Sequence, residues 1–401
     1  MSDTSQQGSR FVIVGGGLAG AKAAAELRTQ GFEGTVVLVA SEGEYPYERP
    51  PLSKGYLAGT TDFSDALVHD PAWYDSNVDL RLGTRAVRLD AEAHAVVLAD
   101  DSVVAYDKLL IATGAVPRRP DVEGAQRMLT LRTKSDVDSL KARVGDGVRV
   151  VVVGAGWIGL EVAAAARGAG ADVTVVESGP APLARVLGTQ VGDIFADLHR
   201  ENGVRVLTSA TLEAVDNSGV VVDGRRLPAD VVIAGTGVAP DVDLALSGGL
   251  EVDDGIVVDS ALRSSNPDVF AAGDVASSFY PRYARHVRVE HWANALNQGP
   301  AAARAMLGQA VTYDRLPYFY TDQYDLGMEY TGWVPPERRD EAEVVLRGDV
   351  AGLQFRAFWL LPQGGSFLVA AAMHVNMWDE GIDPLKQRVE SGEAIAAESL
   401  R

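Results

Sequence analysis

The chain contains one three-part phrase twice: an apolar run, a glycine turn and an alanine-rich stretch. The first copy reads Phe11-Val-Ile-Val-Gly15-Gly-Gly17-Leu-Ala19-Gly20 and continues through Arg28. The second is Val148–Val153, then Gly154-Ala-Gly156-Trp157-Ile158-Gly159, and continues to about Ala169. Each spacing fits a strand that turns sharply into a helix: the first glycine makes the turn, the second lets another group approach the backbone, and the third packs helix on strand. A further strand follows each helix, Thr35–Val39 and Asp172–Glu177. A single such turn is a weak signal, equally a glycine turn of some other α/β fold. Two copies in the same strand-to-helix context imply two dinucleotide-binding units with phosphates seated on helix N-termini.

Composition narrows what those units serve. With 401 residues, 47% of them hydrophobic, the chain can bury two or three cores, since domains run to ~100–150 residues. Its apolar runs, Phe11–Val14, Val36–Val39, Val148–Val153 and Val231–Ala234, fall far short of the ~18 residues of a membrane span, so no transmembrane helix is expected. Met1–Ser9 is polar and lacks the basic and apolar regions of an export signal; it reads as a disordered tail, and a cytoplasmic location is expected. The absence of cysteine excludes disulfides, a thiol relay, covalently held haem and a cysteine-ligated iron–sulfur cluster in this chain. Electrons would have to rest on a bound organic cofactor, and no metal site is expected. A net charge of −19 opposes nucleic-acid binding. It would also repel an acidic protein at long range, so a docking site for one must be a local basic patch.

Beyond the second glycine turn, Arg205–Leu207, Gly219–Val222 and Val231–Ala234 read as a meander completing a nucleotide unit. Asp268–Gly308 returns to glycine-rich turn and helix, and Gly299-Pro300 should kink or interrupt the helix expected at Ala293–Leu307. From Leu316 the runs Tyr318–Tyr324, Glu343–Leu346, Leu353–Leu361 and Phe367–Met373 suggest a small antiparallel sheet, with a last helix near Asp383–Glu390.

Together with the glycine turns, Tyr47-Glu-Arg49-Pro50-Pro51-Leu52-Ser53-Lys54 resembles the oxygenase-coupled NADH–ferredoxin reductases, the family of the putidaredoxin, rhodocoxin and biphenyl dioxygenase reductases. Leu110-Ile-Ala-Thr113-Gly114, Leu131-Arg132-Thr133, Val269-Phe-Ala-Ala-Gly273-Asp274, Arg288-Val-Glu290-His291-Trp292 and Tyr318-Phe-Tyr-Thr-Asp322-Gln323-Tyr324 match in the same order, over nearly the whole chain. The resemblance implies an α/β, glutathione-reductase-like fold with two Rossmann-type dinucleotide-binding domains plus a C-terminal α+β domain. The FAD-binding domain would be 1–115 with 238–313, the NADH-binding domain 116–237, and the domain covering the flavin 314–401. It further implies FAD and NADH as cofactors and a [2Fe-2S]-type ferredoxin, serving a monooxygenase or dioxygenase, as electron acceptor. A monomer or weak dimer is expected. Rivals are a rubredoxin reductase or NADH oxidase of the same fold, and an apoptosis-inducing-factor-like signalling flavoprotein. Acidic charge argues against the last, and the missing cysteine argues against peroxide-forming and disulfide-reducing relatives.

The resemblance also assigns residues. Lys54 would pair with Glu161 beside the reactive flavin nitrogen, where a cation favours the negative charge arriving with hydride; Glu161 near a helix start equally reads as dipole compensation. Asp274 would accept a ribityl hydroxyl while the next helix offers N–H groups to a phosphate, or would simply cap that helix. Arg132 would meet the FAD pyrophosphate. Ser41 with Glu42 stands where relatives place the acid for the FAD ribose, and Ala86 where backbone meets adenine. Trp292 would abut the isoalloxazine or fill the core. Asp322 and Gln323 belong to a flavin-shielding signature in which Tyr320 and Thr321 replace the usual Trp-Ser. Arg49, Pro50, Gly237, Glu290 and His291 complete the cofactor contacts. Glu177, 18 residues after Gly159, would bind the NADH ribose. A 2′-phosphate there would meet like charge at a cost on the order of 1–4 kcal/mol at ~4 Å, so NADH should be preferred, a preference tempered by Arg185, which matches an arginine approaching the adenosine. Arg282, Arg285 and Arg288 form the densest basic stretch near the inferred flavin edge, either a dock for an acidic ferredoxin or a solvated charge run. The six histidines, scattered singly, are assigned to packing or surface roles.

Overall fold

The structure, a computed structural model, describes residues 8–394. Most of the expected N-terminal tail, residues 1–7, lies outside the described residues. The chain forms two compact units. The first gathers the segment ending at Glu48 with Phe63–Val116 and Ala239–Arg315; the second gathers Arg49–Asp62, Pro117–Val238 and the segment from Leu316 onward.

The first unit is built on a five-stranded parallel sheet in the order Val269–Ala271, Lys108–Ile111, Arg10–Val14, Thr35–Val39, Asp79–Arg81. Its central strands are continuous apolar runs buried from the second residue on, as a parallel strand covered on both faces must be. Helices Leu18–Thr29 and Trp292–Met306 pack on each other. Two antiparallel three-stranded sheets complete the unit, Ala86–Asp90 with Ala95–Leu98 and Val103–Ala105, and Ile256–Val258 with Ala276–Tyr280 and Arg285–Arg288, the last carrying one parallel pairing.

The helix Trp292–Met306 runs without interruption through Gly299-Pro300, so the interruption expected there as the alternative to a kink does not occur. Pro300 forfeits one backbone bond, a defect that typically costs ~3 kcal/mol. Close packing offsets it: a Cβ on Gly299 would lie 2.3 Å from the Ala19 carbonyl oxygen, so glycine lets this helix approach the first glycine-turn helix, and Ala301, Ala302 and Ala303 are buried beside it.

The second unit holds a four-stranded parallel sheet, Arg205–Leu207, Asp172–Val176, Arg149–Val153, Val231–Ala234. The expected meander is therefore corrected. Arg205–Leu207 and Val231–Ala234 belong to this parallel sheet, and only Gly219–Val222 is antiparallel, between Leu212–Asp216 and Arg225–Pro228. The C-terminal sheet is antiparallel and five-stranded: Tyr318–Gln323, Leu326–Gly332, Ser366–Val375, Gln354–Gln363, Glu343–Asp349. Within this unit it seats on the nucleotide module through Trp157, whose ring centroid lies 4.5 Å from Phe319 and 5.9 Å from Phe195. Trp359 adds an indole N–H donated to the Leu187 carbonyl at 3.1 Å. Among the described residues no helix is long and apolar enough to cross a membrane.

Candidate functional site

The two glycine turns repeat each other bond for bond. Gly15 N–H donates to Val39 C=O at 2.8 Å and Gly154 N–H to Val176 C=O at 2.7 Å, tying each turn to the end of its neighbouring strand. Gly15 (φ +123°) and Gly154 (φ +97°) occupy left-handed backbone, and a Cβ would lie 2.1 Å from the Ala112 oxygen or 2.4 Å from the Gly235 oxygen. Gly20 and Gly159 are equally constrained: their Cβ would lie 2.0 and 2.1 Å from the carbonyl oxygens of Gly15 and Gly154. The middle glycines differ. A Cβ on Gly17 meets nothing within 4 Å, and one on Gly156 meets only the Gly235 oxygen at 3.8 Å. Both cap helices that have no side-chain cap and no acid in the first turn. Protein packing thus explains the outer glycines, while the middle ones border open space at uncapped helix N-termini, the setting a pyrophosphate requires. The residues present fit one dinucleotide per unit.

Around the first turn, Ala19 touches the turn that follows Ala271: a Cβ on Gly273 would lie 3.2 Å from the Ala19 Cβ. Gly273 N–H is held by the buried Gln298 at 2.9 Å, a contact no motif announced because Gln298 sits 25 residues away inside a helix. Asp274 leads not into a helix but into strand Ala276–Tyr280. The expected helix N–H groups and the N-cap alternative are both withdrawn there, because the chain pairs with Ile256–Val258 instead. The Glu42 carboxylate accepts the Tyr47 phenol, while Ser41 is exposed. Ala86 opens its strand at a bulge. Thr113 Oγ1 donates to the Asp241 carbonyl at 2.7 Å, and Gly114 (φ +74°) accepts Asp241 N–H at 3.0 Å. Trp292 starts its helix with the indole N–H on Glu48 at 3.0 Å. His291 is neutral at ordinary pH, burial driving its pKa down to about 4.

In the second unit Glu177 is already occupied: its carboxylate accepts Ala155 N–H and Gly179 N–H, each at 2.6 Å. It braces the glycine turn, a role beyond the ribose contact expected of it. Glu177→Ala should therefore lower unfolding stability by about 1–3 kcal/mol, read from urea melts, and raise the NADPH-to-NADH ratio of kcat/KM together. Arg185 is exposed on the short helix Ala184–Leu187, Ile158 is 43% exposed, and Gly237 (φ +86°) accepts Arg118 N–H at 2.9 Å.

The same unit assembles a polar cluster from three distant segments. Pro50–Ser53 forms a 3-10 turn and ends at Lys54. Lys54 Nζ lies 2.7 Å from Glu161 Oε1, and Glu161 is only 4% exposed. Ser53 Oγ donates to Glu161 Oε2 at 2.5 Å and Thr321 Oγ1 to Oε1 at 2.6 Å. Lys54 is held as the counter-ion of a buried carboxylate that also accepts from two hydroxyls, with the Tyr320 ring 5.4 Å away. The expected pair is thus adjacent, joined by two hydroxyls that sequence reasoning did not assign; Thr321 keeps the hydroxyl of the serine it replaces. Asp322 lies on the same strand with its side chain exposed, and desolvation raises its pKa against the opposing effect of Lys54. Arg49 donates to the Arg132 carbonyl, at the start of helix Lys134–Lys141, which Thr133 and Asp136 cap reciprocally.

The basic stretch divides. Arg288 is 10% exposed and bonded to Glu290 and, at 3.1 Å, to Asp254, so its charge is spent within the protein. Arg282 and Arg285 are exposed. Among the described residues no group of acids and histidines is arranged to hold a metal ion.

Comparison with known proteins agrees with this geometry. Residues 9–299 match the family described as pyridine nucleotide-disulphide oxidoreductase. The chain is 39% identical over 375 residues to the ferredoxin–NAD(+) reductase component of the anthranilate 1,2-dioxygenase system of Burkholderia cepacia, covering 92% of this chain and 91% of that protein. It is 41% identical over 332 residues to rhodocoxin reductase of Rhodococcus erythropolis, covering 80% and 78%. Its structure matches the reductase of a covalent putidaredoxin reductase–putidaredoxin complex with a TM-score of 0.90 at 33% identity, over 98% of this chain and 96% of that one.

Proposed function

This chain belongs to the pyridine nucleotide-disulphide oxidoreductase family, and on that premise we propose that it is an FAD-dependent NADH:ferredoxin oxidoreductase serving a monooxygenase or dioxygenase. The observation that carries the proposal is the pair of glycine turns whose middle residues face open space, in a chain with no cysteine whose relatives are ferredoxin reductases of oxygenase systems. When bound, FAD accepts a hydride from NADH and releases the electrons singly. The chain's own part is to hold and orient. Gly17 and the N-terminus of Leu18–Thr29 would take the FAD pyrophosphate, and Gly156 with Trp157–Gly168 that of NADH. Lys54, fixed by Glu161, supplies a positive charge that favours hydride arrival, and Glu177 favours NADH over NADPH. The three-domain division, 1–115 with 238–313, 116–237 and 314–401, belongs to the same proposal, supported by a parallel sheet in each of the first two parts and a five-stranded antiparallel sheet in the third. So does a cytoplasmic site of action, where NADH is available.

The test is NADH-driven cytochrome c reduction with and without a [2Fe-2S] ferredoxin. Turnover should depend on the ferredoxin; turnover supported by oxygen alone would point to an oxidase. For the partner surface, the exposed Arg282 and Arg285 are proposed to meet an acidic ferredoxin. Substituting both by Glu should raise the ferredoxin KM about tenfold or more at low salt, the difference shrinking as ionic strength rises. An unchanged KM removes the dock from this surface.

A further inference from the structure

We propose that His199 and Gln323 are positioning residues for the Lys54–Glu161 pair, acting through a one-way chain of buried hydrogen bonds that ends on the Glu161 carboxylate. The inference rests on the redox reading of that pair.

Four polar side chains, Glu161, His199, Thr321 and Gln323, are each at most 4% exposed. Their donors can be ordered without ambiguity. Thr321 spends its one proton on Glu161 at 2.6 Å, because a carboxylate paired with Lys54 only accepts. Its oxygen then accepts Gln323 Nε2–H at 3.2 Å. The other end of the amide, Oε1, only accepts, so His199 Nε2 at 2.9 Å must carry the hydrogen. Burial lowers the His199 pKa, so the ring is neutral and its Nδ1 is bare. It accepts from the Tyr324 hydroxyl at 3.3 Å, a phenol that burial keeps protonated by pushing its pKa up to about 12. Every donor in the series Tyr324, His199, Gln323, Thr321 therefore points toward Glu161.

Aligned hydrogen bonds polarise one another, by about 10–30% per bond, and a buried polar group that loses its partner is costly. An amide in the middle of the chain does not pass protons as a hydroxyl or water does, so the series orients and polarises rather than conducts. It also links three elements of one unit: helix Thr189–Glu201 carrying His199, the strand and turn carrying Thr321, Gln323 and Tyr324, and helix Trp157–Gly168 carrying Glu161. Breaking it would leave the Thr321 hydroxyl without the donor that orients it, loosening its hold on the Glu161 carboxylate and the setting of Lys54 while leaving the nucleotide-binding turn untouched.

The test uses full-length holoprotein. Nitrogen-15 NMR of the His199 ring should show a neutral Nε2–H tautomer; an Nδ1–H tautomer or an imidazolium at neutral pH overturns the bond order. Gln323→Leu and His199→Leu should each lower the limiting rate of flavin bleaching at saturating NADH about tenfold, with the NAD+ dissociation constant changed less than twofold. His199→Gln, which keeps an N–H near the Nε2 position, should restore most of that loss and guards against variants that merely misfold. Wild-type bleaching rates in folded Leu variants overturn the positioning role. Failure of the unaltered protein to bleach with NADH would instead overturn the redox reading, and this role with it.

Discussion

Valine at Gly17 will leave the first unit folded but strip it of FAD, whereas valine at Gly15 or Gly20 will prevent that unit from folding. The three positions lie within one turn, yet the structure gives them opposite reasons for being glycine. Gly15 combines a φ of +123° with a Cβ position 2.1 Å from the Ala112 oxygen, and Gly20 would place its Cβ 2.0 Å from the Gly15 oxygen. Both collisions are with backbone, which cannot step aside. At Gly17 the backbone is extended (φ −80°, ψ −175°) and its surroundings are open. There valine costs only the ~1 kcal/mol of a poorer helix cap, but its side chain fills the space that a phosphate must enter. The flavin-to-protein ratio of Gly17→Val should fall to near zero with a near-normal circular dichroism melt. The second turn supplies the control: Gly156→Val should stay yellow yet need at least a hundredfold more NADH to bleach. Loss of folding at Gly17, or full flavin content, would separate the open space from cofactor binding.

Lys54→Met will slow flavin reduction at saturating NADH on the order of a hundredfold, the scale of removing one electrostatic stabiliser of developing charge. It should also destabilise the second unit, because the buried carboxylate loses its counter-ion, but by less than the ~3–5 kcal/mol of an unsupported buried charge, because Glu161 keeps two hydroxyl donors, Ser53 and Thr321. Glu161→Leu reverses the pattern. It strands a partly buried ammonium and two buried hydroxyls with no acceptor, and should destabilise the second unit by about 3–5 kcal/mol, the usual consequence of removing one partner of a buried ion pair. Stopped-flow bleaching and urea melts of the two variants separate catalytic from structural loss. Equal rates for Lys54→Met and the unaltered protein would leave the pair a structural ion pair.

What the sequence disclosed tracks how local each constraint is. The glycine turns were legible because a sharp turn and a close helix contact are fixed within a few residues, and both copies were bounded closely. Val231–Ala234 was placed in a meander because a fully buried four-residue run carries no alternation to say which sheet it joins. Strand Leu326–Gly332 went unseen because two glycines and a glutamate break its pattern, although four of its five register partners in Ser366–Val375 are apolar or alanine. At the site, Lys54 and Glu161 were paired by resemblance, while Ser53 and Thr321 act across 108 and 160 residues, a separation no spacing rule covers. Arg288 read as part of a basic patch because its neutralising partner Asp254 lies on a separate loop. His199 read as packing because nothing near it in sequence marks the polar chain in which it is buried.

Two dinucleotide sites, one for FAD and one for NADH, in a single cysteine-free chain underlie the electron transfer proposed for this protein. Anaerobic titration of the purified yellow protein with NADH, followed in the visible spectrum, tests this most directly. Bleaching should be complete near one equivalent of NADH per flavin, and two equivalents of oxidised [2Fe-2S] ferredoxin should restore the colour. A protein that stays colourless after incubation with FAD, or a bound flavin that NADH leaves oxidised, would contradict it.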